Sequence, residues 1–298
     1  MSLAVLIPTY RRPSGLRRAL ASLGEQTRRP DEIVVVDNAP DGQAEAVCAQ
    51  AAAQGLPIRF IEEPRAGVSN ARNAAFAATD KPLIAQLDDD ESASSNWLQA
   101  LVKARETLDT PLVFGPVEPV VSEAGPVRAH FMQRLYARRG AEADVKLDKP
   151  HGCGNSLLDR AVLELGPEPF DPAANQVGGE DDILFNRLMA AGAEIGWAAQ
   201  ALVYEHVDPA RARWSHLFQR AFAYGQGPSQ TAANADPADW LGVAGWMGVG
   251  AGQMALFVLA ALPARLVSPQ AAAACLDRAA QGAGKLVWGD FAAPRFYG

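Results

Sequence analysis

The stretch Ile84-Ala85-Gln86-Leu87-Asp88-Asp89-Asp90-Glu91 joins an apolar run to four consecutive acids. A buried strand cannot carry that much charge without a compensating cation, so the acids must follow its carboxyl end, in a cleft or in water. Residues two apart in an extended segment point the same way, so Asp88 and Asp90 can hold one divalent cation together. We expect Glu91 to face solvent. A simple acidic turn is the alternative interpretation of this run taken alone.

Outward from this stretch, the first hundred residues alternate between strand-like and helix-like segments. Strands are predicted at 3–8, 31–36, 58–62 and 83–87, with helices at 14–25, 44–54 and 69–78 between them. This alternation predicts an α/β fold with a parallel sheet and helices on both faces. Ligands bind beyond the carboxyl ends of such strands. Three polar segments follow predicted strand ends, at 8–10, 37–38 and 88–90, so one rim of the sheet is expected to carry the site.

Composition restricts the classes of function. The chain has 298 residues, 49% of them hydrophobic and 20% charged, which is ample for a folded core. A net charge of -7 argues against nucleic acid as a partner. Its three cysteines, Cys48, Cys153 and Cys275, are too few and too scattered for a disulfide framework or a zinc site. The N-terminus lacks the pattern of a signal peptide, so we expect a cytoplasmic location.

The second half is less regular. An amphipathic helix is predicted at 128–139, and Gly152-Cys153-Gly154-Asn155 is a tight, backbone-dominated loop. Gly178-Gly179-Glu180-Asp181-Asp182 opens a predicted helix at 183–191 that has acids in its first turn.

A C-terminal segment, 240–262, holds only apolar and small residues plus one glutamine. Its five glycines weaken it as a membrane-spanning helix. A helix in a membrane interface, a soluble hairpin on the core and a dimer contact all stay open. Arg265, Arg278 and Lys285 would suit anionic lipid head groups.

These motifs, in this order, resemble the family 2 inverting glycosyltransferases, which have the GT-A nucleotide-sugar-binding fold. The resemblance covers about residues 3–225 and is carried by the segments 5–12, 30–38, 67–73, 88–90 and 179–187. It implies a mostly parallel central sheet with helices on both faces. The domains expected from it are a catalytic domain at 1–225 and a C-terminal helical appendage at 226–298.

The resemblance implies transfer of a sugar from a nucleotide-sugar donor, with UDP as the expected nucleotide. Asp37 would accept a hydrogen bond from the imide N–H of uracil, which suits an acceptor-only carboxylate, and thymine presents the same group. A turn closed with Asn38 is the alternative for Asp37, and a structural ion pair is the alternative for Arg72. The residues assigned to the donor are Pro8, Thr9, Tyr10, Arg11, Asp37, Arg65, Asn70, Arg72, Asp88 and Asp89.

The implied metal is Mg²⁺ or Mn²⁺, with Asp90, Asp88 and His206 as its candidate ligands. Asp181 is the candidate general base, with Glu180 beside it, since an inverting transfer needs a carboxylate to take the acceptor's proton. Acids that only complement the helix dipole are the alternative, and Asp182 departs from the family pattern, so the choice of acid stays open. The acceptor or sugar pocket is assigned to Asn155, Gly154 and Trp214.

The implied acceptor is a lipid-linked or growing saccharide in cell-surface polysaccharide assembly, reached in the cytoplasm or at the inner face of the cell membrane. Peripheral membrane contact and a homodimer stay open. A nucleotidyltransferase is one alternative, but it needs a Gly-rich basic loop that Pro8-Thr9-Tyr10-Arg11-Arg12 does not supply. A catalytically silent saccharide- or nucleotide-binding scaffold is the other, and the joint presence of Asp88, Asp90 and Asp181 argues against it.

Overall fold

A computed structural model describes residues 1–39, 41–121, 124–176 and 179–292. Its strands are β1 Leu3–Thr9, β2 Glu32–Asp37, β3 Ile58–Glu62, β4 Leu83–Gln86, β5 Glu91–Ala93, β6 Leu112–Phe114, β7 Val117–Val120, β8 Val145–Leu147, β9 Ser156–Asp159, β10 Ile195–Trp197 and β11 Val203–His206. Its helices are α1 Pro13–Gly24, α2 Gln43–Ala53, α3 Val68–Ala77, α4 Trp97–Leu108, α5 Pro126–Tyr136, α6 Glu180–Ala190, α7 Trp214–Ala233, α8 Trp240–Val267 and α9 Pro269–Leu286. Short 3-10 turns lie at Pro172–Gln176 and Asp290–Ala292.

The first strand shows why the sheet is covered on both faces. Every residue of β1 from Leu3 to Ile7 is buried. Alternate side chains, Leu3, Val5 and Ile7, pack into one hydrophobic core with residues of α1, α2 and α4. Ala4 and Leu6 point the other way, into a second core with residues of α3 and α6. The predicted α/β sheet with helices on both faces is therefore confirmed.

The main sheet has the strand order β3-β2-β1-β4-β9-β6-β10-β8. β1 pairs in parallel with both β2 and β4, and β2 pairs in parallel with β3. β9 is antiparallel to its neighbours β4 and β6, and β8 is antiparallel to β10. The sheet is thus mostly parallel, with two reversed strands. β5 and β11 pair antiparallel in a second, three-stranded sheet of order β5-β11-β7.

The parallel register places three strand ends side by side. Thr9 of β1 is opposite Asp37 of β2, and Leu6 of β1 is opposite Gln86 of β4. The backbone continues this alignment beyond the strands, since Asn38 N–H donates to Thr9 O and Leu87 N–H donates to Leu6 O. The polar residues that follow β1, β2 and β4 therefore share one edge of the sheet.

The described chain divides into two compact units. The first comprises 1–118 and 138–206, and the second comprises 119–137 and 207–298, of which 293–298 lie outside the described residues. This division differs from the predicted boundary at 225/226. α7 is one continuous helix from Trp214 to Ala233, so that boundary falls inside it. The second unit also takes in α5, whose Phe131 and Leu135 share a hydrophobic cluster with Leu217 and Ala273.

Candidate active site

The loop after β1 is held by the middle acid of the acidic run. Thr9 Oγ1 donates to Asp89 Oδ2 at 2.9 Å, and the Tyr10 N–H donates to the same oxygen at 3.3 Å. Arg11 has a positive φ of 53° and pairs with Asp41 at 3.3 Å. Its guanidinium lies 5.2 Å from the centre of the exposed Tyr10 ring. Tyr10 and Arg11 are therefore accessible to a ligand, whereas the Thr9 hydroxyl is committed to the loop.

Asp37 ends β2 with its side chain buried. Its Oδ1 accepts a hydrogen bond from the Ala39 N–H at 3.0 Å. Its buried Oδ2 has no hydrogen-bond partner among the residues that the structure describes. Buried polar atoms are rarely left in this state, because an unmade hydrogen bond there costs about 1–3 kcal/mol. This unused acceptor lies beside Pro8 and Thr9 of the adjacent strand, and the assignment of Asp37 to the donor base stays a prediction.

The loop between β3 and α3 is cross-linked by polar side chains. Asn38 Nδ2 donates to the carbonyl oxygens of Glu63 and Arg65, at 2.7 and 2.8 Å, and its Oδ1 accepts from the Gly67 N–H. The guanidinium of Arg65 forks onto the Glu63 carboxylate and lowers its pKa. Asn70 Nδ2 donates to a carbonyl of the same loop. Arg65 and Asn70 thus shape the loop, and their assignment to the donor stays a prediction.

Within the acidic run, Asp89 points inward. Both its oxygens are used, since Oδ2 accepts from Thr9 and Tyr10 while Oδ1 accepts from Arg12 Nη1 at 3.0 Å. Burial raises the pKa of Asp89 to about 6, with Arg12 opposing the shift. The same Nη1 lies 2.8 Å from Asp90 Oδ2. Asp89 therefore holds the loop after β1, and its assignment to the donor stays a prediction.

Glu91 is buried, so the expectation that it faces solvent is wrong. The chain turns after Leu87, and Glu91 begins β5 with its Oε2 accepting the Asp88 N–H at 3.0 Å. Burial, with Asp88 next in effect, raises its pKa well above the ordinary value. A Cβ on Gly154 would lie 2.7 Å from Asp88 Oδ2 and 2.8 Å from Glu91 Oε1. A side chain at position 154 would therefore displace the carboxylates of Asp88 and Glu91.

A buried arginine joins the acidic run to the first turn of α6. Arg72 Nη2 lies 3.2 Å from Asp88 Oδ1, and Arg72 Nε lies 3.6 Å from Glu180 Oε1. Burial disfavours the charged form of Arg72, but Cys153 and the carboxylates of Asp88, Glu180 and Asp181 outweigh that effect and raise its pKa. The alternative of a structural ion pair therefore describes Arg72, although it also brings the two predicted acidic motifs together.

At the start of α6, Glu180 and Asp181 have different surroundings. Gly179 precedes the helix with a φ of 80°, whereas Gly178 of the same motif lies outside the described residues. Glu180 is buried against Arg72, and burial raises its pKa while Arg72 opposes the shift. Asp181 is half-buried, with Oδ2 accepting the Cys153 N–H at 3.2 Å. Asp181 is therefore more accessible than Glu180, and its assignment as the general base stays a prediction.

The Gly152–Gly154 loop is fixed by Arg138, a residue with no predicted role. Arg138 Nη2 donates to Gly152 O at 3.0 Å and Nη1 donates to Gly154 O at 2.8 Å. Burial lowers its pKa, with Glu91 and Asp88 opposing. The predicted helix at 128–139 hid this role, because α5 ends at Tyr136 and Arg138 instead forms a bridge with Val117. The sequence feature that could have indicated such a hydrogen-bond donor is the pair of glycines, Gly152 and Gly154, whose loop offers backbone carbonyl oxygens as acceptors.

Asn155 is a structural residue, which corrects its assignment to a sugar pocket. Its side chain is fully buried, and its Oδ1 accepts from Trp97 Nε1 at 2.7 Å. Its Nδ2 donates to the carbonyl oxygens of Pro116 and Ala201, both at 2.7 Å. These three bonds leave no group for a substrate. Gly154 lies close to the carboxylates of Asp88 and Glu91, and its assignment to a sugar pocket stays a prediction.

The candidate metal ligands come together only in part. His206 N–H donates to the Asp90 carbonyl at 2.7 Å, but its ring Nε2 bonds Ser92 Oγ at 2.8 Å. Within the described ranges, no group of three or more His, Cys, Asp and Glu side chains could hold a metal ion. The carboxylates of Asp88 and Asp90 supply hard oxygen donors that fit Mg²⁺ or Mn²⁺, which commonly complete their shell with water and substrate phosphates.

Trp214 belongs to the second unit. Its ring stacks on Phe218, with ring centres 5.4 Å apart, and meets Phe131 edge-on at 5.5 Å. These contacts place it in an aromatic cluster of α5 and α7. Its assignment to an acceptor pocket stays a prediction.

Comparison with known proteins matches this arrangement to one family. Residues 4–166 match the family model "Glycosyl transferase family 2". The succinoglycan biosynthesis protein ExoM of Rhizobium meliloti is 30% identical over 224 residues, which cover 73% of this chain and 71% of that protein. The glycosyltransferase AglE of Haloferax volcanii is 24% identical over 238 residues, covering 76% of this chain and 73% of that protein.

Solved structures show the same fold. Staphylococcus aureus TarS in complex with UDP superposes with a TM-score of 0.54 over 82% of this chain and 69% of that chain, at 15% identity. The same protein in complex with UDP-GlcNAc gives a TM-score of 0.54 at 14% identity, over 82% of this chain and 70% of that chain. At this identity the likeness shows the fold alone.

Proposed function

Because the chain belongs to glycosyl transferase family 2 and is a glycosyltransferase, we propose that it moves a sugar from a nucleotide-sugar to an acceptor hydroxyl with inversion at the anomeric carbon. The observation that carries this proposal is the gathering of acids at one edge of the sheet in the first unit. Asp37, whose buried Oδ2 has no hydrogen-bond partner among the described residues, ends β2, and Asp88 and Asp90 come after the adjacent-but-one strand, β4. Arg72 joins Asp88 to the first turn of α6, where Asp181 lies.

For the donor nucleotide we propose UDP. Asp37 Oδ2 is a buried carboxylate oxygen in need of a donor, and the uracil imide supplies an N–H. Cytosine presents an acceptor at the same ring position, so Asp37 would disfavour it. The related fold of TarS has been solved with UDP and with UDP-GlcNAc, which supports the same nucleotide class here. Tyr10, exposed beside this edge, supplies a ring on which the base can stack.

The cofactor we propose is Mg²⁺ or Mn²⁺, held by Asp88 and Asp90. A divalent cation at these carboxylates would neutralise charge on the leaving nucleoside diphosphate. Arg12 Nη1 lies 2.8 Å from Asp90 Oδ2, so the guanidinium must share or release that oxygen when a cation binds there.

In the proposed reaction, Asp181 takes the proton of the acceptor hydroxyl. The hydroxyl oxygen forms a bond to the anomeric carbon while the bond from that carbon to the diphosphate oxygen breaks, and the nucleoside diphosphate leaves with the electron pair. The Cys153 N–H bonded to Asp181 Oδ2 orients the carboxylate. Glu180 acts as a positioning residue, because its carboxylate pairs with Arg72.

As acceptor we propose a lipid-linked or saccharide hydroxyl in cell-surface polysaccharide biosynthesis, at the cytoplasmic side of the membrane. The support is the role of the relative ExoM in succinoglycan biosynthesis, together with the resemblance of motifs. The proposal names no donor sugar, because the choice of sugar depends on a few residues of the pocket.

A donor screen tests the nucleotide and the cation together. Thermal stability is measured with UDP-, GDP- and dTDP-sugars, with Mn²⁺ or with EDTA, on the wild type and on Asp90→Ala. We expect stabilisation by UDP-sugars that requires Mn²⁺ and is lost in the variant, because a ligand that binds only the folded state raises its stability. Stabilisation by GDP- or dTDP-sugars instead of UDP-sugars would refute the donor assignment. Equal stabilisation by UDP-sugars in Mn²⁺ and in EDTA would refute the metal assignment.

A pair of isosteric variants tests the base. Asp181→Asn is expected to abolish transfer while leaving the Kd for UDP within about twofold, because the amide keeps the shape of the side chain but cannot take a proton. Glu180→Gln is the matched control and should keep measurable turnover. Retained turnover in Asp181→Asn would remove Asp181 from this role. Donor binding by a wild type that transfers no sugar to any acceptor tried would favour the silent-scaffold alternative.

A further inference from the structure

Helix α8 concentrates the apolar surface of the second unit. It has 28 residues and a mean hydropathy of 1.6 in its most apolar window, of which only 6% is buried. By length and composition it is the one helix among the described residues that could cross a membrane. Twelve of the 22 exposed large apolar side chains of the described chain lie on it: Trp240, Leu241, Trp246, Met247, Val249, Met254, Leu256, Val258, Leu259, Leu262, Leu266 and Val267.

One narrow face of α8 packs on α9. A Cβ on Gly250 would lie 2.7 Å from Gly282 O, and a Cβ on Gly282 would lie 2.7 Å from Met254 N. Further along, the Arg278 guanidinium lies 5.0 Å from the centre of the Phe257 ring. Close backbone approach between small residues is the usual way helices pair in a membrane. α7 also packs against α8, but most of the remaining α8 surface is apolar and exposed, whereas an ordinary surface helix has a polar face there.

The covering of this surface must be an extended apolar medium. A second protein helix covers one stripe of about 100° of a neighbour, and α9 already covers one. A second copy of α8 would therefore leave part of the apolar surface in water. We propose that the second unit docks on a phospholipid bilayer through α8. This inference does not depend on the proposed donor, metal or base.

The packing of α9 decides how α8 enters the bilayer. α9 is held on its other side by Arg134 of α5, whose Nη2 lies 2.7 Å from Asp277, and by Ser229 of α7, whose Oγ donates to Lys285 O. A spanning α8 would have to carry these buried polar groups into hydrocarbon or break its contact with α9. The structure therefore points to a helix of about 42 Å lying in the plane of the interface.

Charge and aromatic residues fit this orientation. Residues 240–276 contain a single charged side chain, Arg265, and no acid. Trp240 lies 6.5 Å from Trp288, so two indoles stand together at the other end of α8. Tryptophan and arginine are the residues that favour the head-group region. An in-plane α8 would place Trp240 and Arg265 at the same depth.

Vesicle flotation of the full-length protein tests the docking. Phosphatidylcholine vesicles containing phosphatidylglycerol are mixed with the wild type, without donor or acceptor, and the bound fraction is measured. We expect the wild type to float with the vesicles. The double variant Leu259→Glu/Leu262→Glu should lose about tenfold or more in vesicle binding. Both leucines are 78% exposed, so the substitutions should leave the thermal unfolding temperature unchanged. The control is Val162→Glu, which also replaces an exposed apolar side chain by glutamate but lies in the first unit, where Val162 is 62% exposed. This variant should float like the wild type.

Three results would overturn the proposal. One is a wild type that stays with the soluble fraction at every lipid concentration. Another is a double variant that floats as well as the wild type. The third is a wild-type dimer in solution that the double variant converts to a monomer, without vesicle binding by either, because the surface would then belong to a second copy.

A depth measurement tests the in-plane orientation. A tryptophan at the middle of the helix, Leu256→Trp, is titrated with lipids that carry a nitroxide quencher high or low on the acyl chain. Stronger quenching by the shallow label is expected, since an in-plane helix keeps its middle near the head groups. Stronger quenching by the deep label would mean that α8 spans the bilayer and would refute the in-plane orientation.

Discussion

Replacing Asn155 by alanine should unfold the first unit more readily rather than impair sugar recognition alone. The substitution removes three hydrogen bonds of 2.7 Å and leaves the indole N–H of Trp97 and the carbonyl oxygens of Pro116 and Ala201 without their partner. All three bonds end on a fully buried side chain, so water does not replace the lost amide easily.

The magnitude follows from these groups. An unsatisfied buried donor or acceptor costs about 1–3 kcal/mol, with carbonyls at the lower end because they tolerate one missing bond. About 2 kcal/mol for the indole and about 1 kcal/mol for each carbonyl give about 4 kcal/mol. The backbone adds to this, since Asn155 has a φ of 57°, a conformation that asparagine tolerates better than alanine by up to about 1 kcal/mol. We therefore expect a loss of about 4–5 kcal/mol.

The assay is urea unfolding followed by circular dichroism, with UDP affinity measured on the folded protein at low urea. Asn96→Ala is the matched control, because Asn96 is exposed and its Oδ1 only accepts from Ser94 Oγ. Its effect should stay within about 0.5 kcal/mol. An Asn155→Ala variant of wild-type stability whose KM for the donor or acceptor rises would refute this reasoning and restore Asn155 to a sugar pocket.

Three further outcomes are expected. Asp37→Asn should lower the affinity for UDP by about tenfold to a hundredfold in calorimetric titration and narrow the preference for UDP over CDP, because an amide would replace the carboxylate whose unpaired Oδ2 is proposed to accept the uracil N–H. An unchanged ratio of the UDP and CDP affinities would contradict this proposed contact. Asp89 has a folded pKa of about 6, raised above its unfolded value near 3.8, so its contribution to stability is present in full below about pH 4 and is lost as the pH rises through 6. In EDTA, the free energy of unfolding of the wild type relative to that of Asp89→Asn should therefore fall by up to about 3 kcal/mol between pH 4 and pH 7. A difference that does not change with pH would count against the burial of this charge. Arg138→Met should lower kcat by about tenfold or more with a smaller change in the KM for the donor, because two hydrogen bonds that hold the Gly152–Gly154 loop beside Asp181 are lost. Arg138→Lys should restore part of the rate. Equal losses of kcat in both variants, together with a lowered unfolding temperature, would show that Arg138 is only structural.

The sequence was sufficient to predict the parallel part of the sheet and the edge at which its polar strand ends lie. Buried parallel strands leave continuous apolar runs, and β1, β2 and β4 each end where such a run meets polar residues. Parallel pairing then brings these ends together whatever the details of the loops. Asp37, Asp88 and Asp181 follow from this local pattern together with the family resemblance, and their roles remain to be tested by experiment.

The errors fall where a side chain's surroundings come from distant segments. Glu91 looked exposed because its neighbours in sequence are acids, but pairing of β5 with β11 buries it. Asn155 looked like a site residue because its loop is rich in glycine, but its three partners lie 39 to 58 residues away. Arg138 lay within an apparent helix. No periodicity in the sequence encodes such contacts, since they depend on the register of β9 against β4 and β6.

The ion pair between Arg72 and Asp88 has a consequence for how the donor and the proposed cation would bind. The acidic edge holds more carboxyl groups than guanidinium groups: Asp88, Asp89, Asp90, Glu91, Glu180 and Asp181 against Arg12, Arg72 and Arg138. A diphosphate adds negative charge to a site that already has an excess, so its binding is unfavourable unless positive charge accompanies it. Donor and divalent cation should then bind with positive cooperativity, each raising the affinity of the other by the same factor. Without the proposed cation the protein would bind the donor weakly, so the concentration of free cation would set how much of the enzyme holds donor.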